Sequence, residues 1–339
     1  MKQGLLLINL GTPEAPDNVS VRRYLRTFLS DKHVIDLPIL LRYFLLFGII
    51  LPFRTKQSAK AYQAIWTEHG SPLLYHSEAL LHELKQHLAS DFDVALAMRY
   101  SKPSIEDALS TLSKCSTIIV LPLYPQYAMA TTGSSIAVVQ KLVNSMQPAP
   151  TLRVIQDFYN HPAFISAQAE QIKPYLNTHE YILFSYHGLP ERQLNKVGCK
   201  TICKTTCPKA GNRYCYRAQC LQTTSEISTL LKLDKKNHSS SFQSRLGRTP
   251  WIKPYTDEIL PELAQQGIKR LAITCPSFVA DCVETLEEIA MRAKKQWLAL
   301  GGEKLTLIPA LNSNSNWVAA IGRIAKDHSA TDDNNPVIA

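Results

Sequence analysis

The run Tyr181-Ile-Leu-Phe-Ser-Tyr-His187-Gly-Leu-Pro190 joins a strand pattern to a turn pattern. Its first half, Tyr181 to Phe184, is a short apolar run typical of a buried strand, and Ser185 to Pro190 carry turn-forming residues. In open α/β sheets, ligands bind beyond the carboxyl ends of the parallel strands. We therefore expect His187 to lie in a loop at a strand end, where its imidazole can meet a substrate. An isolated histidine is more often a surface or core residue, so this interpretation needs a second polar site.

That second site is the run Cys275-Pro-Ser-Phe-Val-Ala-Asp281-Cys-Val-Glu284, which follows another predicted strand. Asp281 and Glu284 are three residues apart, so both face one way in a first helical turn. Helix dipoles favour carboxylates there, so capping is the alternative role of each. Histidine and carboxylate side chains on neighbouring strand ends can accept protons and contact a metal transiently. No three-residue metal cage is evident, which disfavours a catalytic zinc site. The surrounding aromatic residues would suit a flat ligand: Tyr124, Tyr127, Trp251 and Phe278.

Length, charge and composition limit the class of protein. The 339 residues fit two domains of about 150 residues each. A net charge of +9 suits nucleic acid, an anionic membrane surface or an acidic small molecule, and no long run of bases selects among them. The N-terminus lacks a signal-peptide pattern, so we expect a cytoplasmic protein. Its eight cysteines are then expected to be reduced, metal-bound or buried.

Strand and helix patterns alternate along the chain in two series. The strands predicted at Gln3 to Asn9 and Thr117 to Pro122 belong to the first series, and the His187 strand belongs to the second. This alternation predicts an α/β fold with parallel sheets flanked by helices. We assign residues 1–157 and 158–310 to the two domains, 311–326 to a helix that packs back on the first domain, and 327–339 to a disordered tail.

Residues 38–53 form the most apolar segment, with Arg42 as its only charge. A helix over Tyr43 to Leu51 would span roughly 13 Å, too short for the ~30 Å hydrocarbon core of a bilayer. One interpretation is a buried core helix. The other is an apolar lip that dips into a membrane surface, with Arg54 and Lys56 at the lipid headgroups.

Residues 198–220 form a cysteine-rich insertion that holds five of the eight cysteines, interleaved with bases and no acid. Positive neighbours lower thiol pKa values and would offset an anionic thiolate cluster. No Cys-x-x-Cys spacing occurs, which disfavours a zinc ribbon. Four thiolates suit a [2Fe-2S] cluster, while zinc or plain reduced thiols are the alternatives. The predicted ligands are Cys199, Cys207, Cys215 and Cys220, with Cys203 as the spare thiol.

Seven groups of residues together resemble the ferrochelatases, which insert Fe²⁺ into protoporphyrin IX to form protohaem. The resemblance covers nearly the whole chain, and its motifs are Leu7-Ile-Asn-Leu-Gly-Thr-Pro13, Gly70-Ser-Pro-Leu73, Met98-Arg-Tyr100, Leu123-Tyr-Pro-Gln-Tyr127 with Thr132-Gly-Ser-Ser135, Ser185-Tyr-His-Gly-Leu-Pro190, Phe242-Gln-Ser-Arg245 with Pro250-Trp251, and Phe278-Val-Ala-Asp-Cys-Val-Glu-Thr-Leu286. It implies two Rossmann-like, chelatase-type domains with the active-site cleft between them. It also implies an apolar entrance at residues 38–53, and some similar ferrochelatases carry a [2Fe-2S] cluster on internal cysteines.

The resemblance also implies roles for matching positions. His187 and Glu284 correspond to the active-site histidine and glutamate, which face the macrocycle from opposite sides and contact the substrate Fe²⁺. Asp281 would join Glu284 in an acidic route for protons or metal. Many relatives have a histidine where this chain has Cys282, so it departs from their pattern there. The positions implied to hold or distort the porphyrin are Arg99, Tyr127, Ser134 and Trp251.

The partners implied are protoporphyrin IX and ferrous iron, with peripheral contact at the cytoplasmic face of the inner membrane and no nucleic acid. Two other classes of function compete with this one. A porphyrin or haem carrier would bind the macrocycle without metallating it. A basic, cysteine-containing nucleic-acid-binding protein would show an affinity that falls steeply with salt.

Overall fold

The computed structural model describes residues 2–199, 203, 214–247 and 249–330. The described residues fall into two compact units. The first contains those within Met1–Tyr124, Ala128–Phe158 and Asn312–Ala339, and the second those within Pro125–Tyr127 and Tyr159–Leu311. Each unit contains a four-stranded parallel sheet, which confirms the predicted α/β class.

The sheet of the first unit has the order β2-β1-β3-β4. Its central strand β1 pairs with both neighbours, as Leu5 lies opposite Val94 on β2 and Ile119 on β3. Leu5 to Ile8 are fully buried because helices cover both faces of a parallel sheet, which is why the strand reads as a continuous apolar run. The strands are β1 (Gln3–Asn9), β2 (Phe92–Met98), β3 (Thr117–Pro122) and β4 (Thr151–Val154).

The helices of the first unit begin where the chain supplies capping residues. The side chain of Asp17 accepts hydrogen bonds from the N–H groups of Val19 and Ser20 at the start of α1. Ser104 and Asp107 form a capping box at the start of α5. The helices are α1 (Asn18–Leu29), α2 (Ile39–Phe44), α3 (Leu51–Ile65), α4 (Pro72–His87), α5 (Ile105–Thr111) and α6 (Ser134–Val143).

The apolar segment is helical and outward-facing. The π-helical turns of Leu45–Ile50 join α2 to α3. Its inner side packs Leu46 and Leu51 against Leu29 in a small core, and Arg42 is also buried. Leu40 and Phe53 are 84% and 77% exposed, so the buried-core interpretation of this segment is wrong. The exposed apolar residues are Ile39, Leu40, Leu41, Tyr43, Phe44, Phe47, Ile49 and Phe53. Within the described part of the chain, no helix has both the length and the apolar character needed to cross a membrane.

The last described helix belongs to the first unit. This helix, Ser315–Ala330, packs against α4. Lys326 Nζ lies 2.7 Å from a carboxylate oxygen of Asp91. Residues 327–330, which we expected to be disordered, are helical. The buried residues Ile324 and Ala325 pack just before them and stabilise this end of the helix. Residues 331–339 lie outside the described ranges.

The sheet of the second unit has the order β6-β5-β7-β8. The strand β5 extends through His187, whereas the turn pattern from Ser185 predicted an earlier end. The reason is pairing with β6, which continues as Ser185↔Ser241, Tyr186↔Phe242 and His187↔Gln243. The strands are β5 (Tyr181–His187), β6 (His238–Gln243), β7 (Arg270–Thr274) and β8 (Lys304–Leu307).

The helices of the second unit cover this sheet. Trp297 is fully buried and packs with Leu271 and Ile289 in the core beneath β7. π-helical turns over Leu286–Ala293 join the short helix Val283–Thr285 to the helix Lys294–Ala299. The helices are α7 (Pro162–Ile172), α8 (Glu191–Lys196), α9 (Tyr216–Leu230), α10 (Thr256–Gln265), α11 (Val283–Thr285) and α12 (Lys294–Ala299), and the Ser315–Ala330 helix of the first unit is α13.

Candidate functional site

His187 occupies the carboxyl end of the central strand β5 in the second unit. Its Nδ1 atom lies 2.6 Å from the carbonyl oxygen of Gly188. Because a carbonyl oxygen can only accept a hydrogen bond, Nδ1 carries the proton and Nε2 keeps its lone pair. Among the described residues, none forms a hydrogen bond with Nε2. The imidazole is therefore oriented as a base, or as a metal ligand, through Nε2.

The backbone of His187 is held on both sides. Its N–H donates to Ser277 Oγ at 3.3 Å, and its carbonyl accepts from Tyr216 Oη at 2.8 Å. Two aromatic rings lie near the imidazole, with centroids 6.4 Å away at Trp251 and 6.2 Å away at Phe278. Phe278 comes from the loop after β7, so this loop reaches the histidine at the same edge of the sheet.

The same loop leads to Asp281 and Glu284. Asp281 is buried, and its Oδ1 accepts hydrogen bonds from Thr285 Oγ1 at 2.9 Å and from the N–H of Ala310 at 3.3 Å. These bonds tie the start of α11 to the segment that follows β8. Glu284 lies on α11 and is partly exposed. Asp281 therefore supports the loop, while Glu284 remains accessible to a ligand.

Gln243 connects the histidine strand to Glu284, and the sequence did not assign it a role. It lies directly opposite His187 in the β5–β6 pairing. Its side chain is buried, accepts a hydrogen bond from Ser185 Oγ at 2.7 Å, and donates one from Nε2 to the carbonyl oxygen of Glu284 at 2.7 Å. A Cβ atom at Gly188 would lie 2.9 Å from the carbonyl oxygen of Gln243, so this close approach requires glycine. Gln243 thus holds His187 and Glu284 at one edge of the sheet.

Cys282 lies beside Glu284 in place of the expected histidine. Burial and, second, the Glu284 carboxylate raise the pKa of the Cys282 thiol well above its ordinary value. The thiol therefore stays protonated at neutral pH. A protonated thiol cannot accept a proton as a histidine would, so Cys282 does not replace that base.

Glu287 and Glu288 each accept hydrogen bonds from other residues of the second unit. Glu288 accepts hydrogen bonds from the N–H and the hydroxyl of Ser244 at 2.9 and 2.6 Å. Glu287 accepts one from Arg292 Nε at 2.8 Å. Glu288 lines a cavity of about 330 Å³ together with Arg245 and Gln296. The π-helical turns thus present polar groups to the end of β6.

Two of the predicted porphyrin-holding residues belong to the second unit. The indole Nε1 of Trp251 donates to the carbonyl oxygen of Leu246 at 2.9 Å, which fixes the ring next to His187. Tyr127 donates its N–H to Gln219 Oε1 at 2.6 Å, and its ring lies edge-on to Tyr214 with centroids 5.7 Å apart. Burial raises the pKa of Tyr127, so its phenol stays neutral.

The other two belong to the first unit, at the ends of its strands. Arg99 follows β2, and Ser134 begins α6 after β3. Arg99 Nε donates to Ser134 Oγ at 2.9 Å, so the two side chains form one cluster. Asp31, which the sequence did not single out, accepts hydrogen bonds from both. An acid in a loop gives no periodic signal that would reveal it.

The cysteine-rich insertion is only partly described. Cys207 lies outside the described residues. Cys215, the N-cap residue of α9, and Cys220 on α9 are both buried. Arg217 Nη1 lies 3.3 Å from the sulfur of Cys203. Burial raises the pKa of the Cys220 thiol well above its ordinary value. In the described ranges, no group of three or more His, Cys, Asp or Glu side chains could hold a metal ion. Because one of the four predicted ligands, Cys207, lies outside the described residues, the cluster site stays a prediction.

A parallel sheet in each unit, with a histidine and carboxylates beyond the strand ends of one of them, defines a chelatase-type α/β protein. Solved structures support this fold. SirB from Bacillus subtilis with Fe³⁺ is similar with a TM-score of 0.55 and 13% identity, covering 97% of this chain and 96% of that one. The sirohydrochlorin chelatase SirB in complex with cobalt has a TM-score of 0.54 and 10% identity, with coverage of 97% and 95%. At these identities, the likeness shows the fold alone.

Sequence comparisons identify the family. The family model for ferrochelatase matches residues 2–329. A ferrochelatase of Legionella pneumophila (strain Paris) is 51% identical over 329 residues, covering 96% of this chain and 99% of the relative. A ferrochelatase of Coxiella burnetii (strain Dugway 5J108-111) is 51% identical over 334 residues, with coverage of 96% and 93%. The chain belongs to the ferrochelatase family, whose enzymes are lyases that insert iron into a porphyrin in haem biosynthesis.

Proposed function

We propose that this chain inserts Fe²⁺ into protoporphyrin IX, with His187 as the principal proton acceptor. The observation that carries the proposal is the hydrogen bond between His187 Nδ1 and the Gly188 carbonyl, which leaves the Nε2 lone pair for the substrate. Insertion of one dication exchanges two pyrrole protons for the metal. The site must therefore accept protons while the ring nitrogens bind iron.

His187 would take a pyrrole proton at Nε2 or contact the incoming iron there. The Gly188 carbonyl stabilises the imidazolium that forms, because Nδ1–H donates to it in both protonation states. Trp251 and Phe278 place apolar ring surface near the imidazole. This environment keeps the base oriented without a carboxylate partner among the described residues.

Glu284 would be the second acceptor or metal contact. Its backbone is fixed by Gln243 while its side chain is partly exposed, so the carboxylate can approach a ligand without disturbing the fold. Asp281 would contribute mainly by holding the loop, since its Oδ1 is occupied by Thr285 and Ala310. The resemblance implies an acidic route through both residues, whereas the hydrogen bonds of Asp281 favour a structural role for it. Arg99, Tyr127, Ser134 and Trp251 would hold the porphyrin.

A carrier without chemistry is the second candidate, and a basic nucleic-acid-binding protein is the third. A carrier would bind protoporphyrin IX and leave it metal-free in the presence of Fe²⁺. A nucleic-acid binder would bind in a salt-dependent way and ignore the porphyrin. Anaerobic incubation of the purified chain with protoporphyrin IX and Fe²⁺ separates the three, and we expect protohaem.

We also propose that the exposed apolar segment of residues 38–53 contacts the cytoplasmic face of the inner membrane, from a cytoplasmic protein. Eight large apolar side chains are exposed on it, whereas isolated exposed apolar residues are ordinary. The exposed bases Lys32, Lys56 and Lys60 adjoin the segment in sequence and could meet anionic headgroups. A poorly water-soluble porphyrin gives this contact a purpose.

Replacing Leu40 and Phe53 together with serine should weaken binding to phosphatidylethanolamine–phosphatidylglycerol vesicles by at least about tenfold, since each loses most of its apolar area. Sedimentation with vesicles measures this. The matched control changes Leu230 and Leu298, which are 54% and 46% exposed on the second unit, to serine. Equal losses in the two double variants, or binding unaffected by the first, would exclude the proposed lipid contact.

The [2Fe-2S] cluster on Cys199, Cys207, Cys215 and Cys220 is a separate proposal. Its support is the group of five cysteines within residues 198–220 and the basic residues interleaved with them. None of the roles proposed above for His187 and Glu284 depends on it.

Anaerobically purified chain should show visible charge-transfer bands, with iron and acid-labile sulfide near two each per chain. Serine at any of the four predicted ligands should abolish the bands, whereas Cys203→Ser should keep them. A colourless protein that contains zinc or no metal would end the cluster hypothesis and leave the ferrochelatase assignment intact.

A further inference from the structure

Asp31 is the centre of a dense polar cluster in the first unit. It lies in the loop between α1 and α2, and its side chain is 7% exposed. One oxygen, Oδ2, accepts hydrogen bonds from Arg99 Nη2 at 2.7 Å, Tyr100 Oη at 2.9 Å and Ser134 Oγ at 2.5 Å. The other, Oδ1, accepts from the N–H of His33 at 2.8 Å and lies 2.9 Å from its Nδ1. Both carboxylate oxygens are fully used.

The cluster joins three parts of the chain. Arg99 and Tyr100 follow β2, and Ser134 starts the helix after β3. Asp31 itself starts the turn that leads into the apolar segment, because its carbonyl accepts hydrogen bonds from the N–H groups of Val34 and Ile35. One carboxylate therefore links the entrance of that segment to the strand ends of the first sheet.

Asp31 is ionised at neutral pH. Burial acts to raise its pKa, but hydrogen bonds from Ser134, His33 and Tyr100 outweigh it and lower the pKa to about 2. Burial also raises the pKa of Tyr100, whose phenol therefore remains a donor. The carboxylate thus faces the Arg99 guanidinium as an ion pair with matched charges.

These contacts fix the position of the Arg99 guanidinium. Nε is held by Ser134, Nη2 by Asp31, and the guanidinium carbon lies 4.5 Å from the ring centroid of Tyr100. Within the described residues, Nη1 forms no hydrogen bond. The Arg99 side chain is 17% exposed, so a ligand can reach it. Because a guanidinium is planar, fixing two of its nitrogens fixes the direction in which the third donates.

We propose that Asp31 is a positioning residue that aims Arg99 Nη1 at a carboxylate of the porphyrin substrate. This inference rests on the proposed function, in which Arg99 holds the porphyrin. Asp31 does not touch the substrate; it acts through Arg99 and Ser134. Removing its charge frees the guanidinium to rotate and lets the surrounding donors reorganise.

The test measures binding of protoporphyrin IX by quenching of protein fluorescence, without iron, together with kcat and KM. Asp31→Asn keeps the size of the side chain and removes its charge, and it should raise the porphyrin Kd and KM about tenfold with kcat changed less than about twofold. Asp93→Asn is the matched control, because Asp93 is 53% exposed in the same unit. Thermal unfolding of each variant identifies any loss of folded protein.

A double-mutant cycle separates positioning from general stability. In an Arg99→Ala background, Asp31→Asn should have no further effect on the porphyrin Kd, because the group it aims is absent. The dimethyl ester of the porphyrin, which has no free carboxylate, should bind the parent and Asp31→Asn equally. Equal binding of protoporphyrin IX by these two proteins, or additive losses in the cycle, would overturn the positioning role. A parent that neither binds nor metallates protoporphyrin would instead overturn the proposed function on which it rests.

Discussion

Replacing His187 with alanine is expected to lower kcat for protohaem formation by about 10³-fold, within the range that a general base contributes. Nδ1 is occupied by the Gly188 carbonyl, so Nε2 is the only ring nitrogen left to accept a proton. The porphyrin Kd should change by less than about threefold, because the loss concerns the reacting groups rather than the bound ring. Stopped-flow absorbance under anaerobic conditions measures the rate, and fluorescence quenching measures the Kd.

A second variant, His187→Asn, distinguishes the loss of the base from a folding defect at this position. Asparagine at His187 can place an amide donor near the position of Nδ1 but has no basic nitrogen, so it should be as slow as alanine. Added imidazole should partly restore the alanine variant, where it can enter the vacated space. His82→Ala is the control, since His82 is exposed on α4 and contacts Gln86. Full activity in either His187 variant would remove His187 from the mechanism.

Glu284→Gln is expected to lower kcat by about 10²-fold, because an amide is isosteric with the carboxylate but neither accepts a proton nor balances the charge of iron. The Gln243 hydrogen bond goes to the backbone of Glu284 and should survive the change. The thiol of Cys282 would lose a neighbouring negative charge, so its pKa should fall, as alkylation rates across pH can show.

The matched control for Glu284 is Glu262→Gln, which removes an exposed carboxylate from α10 in the same unit. It should leave kcat and KM unchanged. If Glu284→Gln metallated protoporphyrin at the parental rate, the second acceptor would have to lie elsewhere, and Asp281 would be the next residue to test.

Strand bounds could be predicted from the sequence where burial on both faces of the sheet determines the residue pattern. Leu5 to Ile8 and Ile118 to Leu121 are continuous apolar runs because both faces of the first sheet are covered. The observed strands, Gln3–Asn9 and Thr117–Pro122, have the predicted bounds. β5 was predicted too short because its last residues pair with Phe242 and Gln243, which lie far away in sequence. Local turn chemistry at Ser185 to Pro190 carries no information about that partner.

The candidate site was predictable only in part. His187 and Glu284 follow apolar runs, so their places at strand ends could be inferred from the sequence. Gln243 contacts Ser185 from 58 residues away, and Asp31 contacts Arg99 from 68 residues away. Contacts of this kind depend on the assembled fold, since nothing in the local pattern around either residue distinguishes it from a solvated side chain. The π-helical turns over Leu286–Ala293 likewise could not be predicted, because the 3.6-residue periodicity of an α-helix does not distinguish them.

The exposed apolar segment shows how periodicity can mislead. Residues 38–53 are apolar on nearly every side, which favours a buried helix as much as a surface one. The structure buries Leu46, Leu51 and the charged Arg42, and exposes Leu40 and Phe53. Which side faces inward depends on contacts with α1, and these could not be read from the segment itself.

The central claim is that this chain exchanges two pyrrole protons for one ferrous ion. The most direct measurement follows haem formation and proton release together, in weakly buffered anaerobic solution with protoporphyrin IX, Fe²⁺ and the purified chain. We expect protohaem in repeated turnovers, with about two protons released for each haem. The charge balance requires this, because one dication replaces two pyrrole protons. Porphyrin that binds tightly and stays metal-free under these conditions would contradict it.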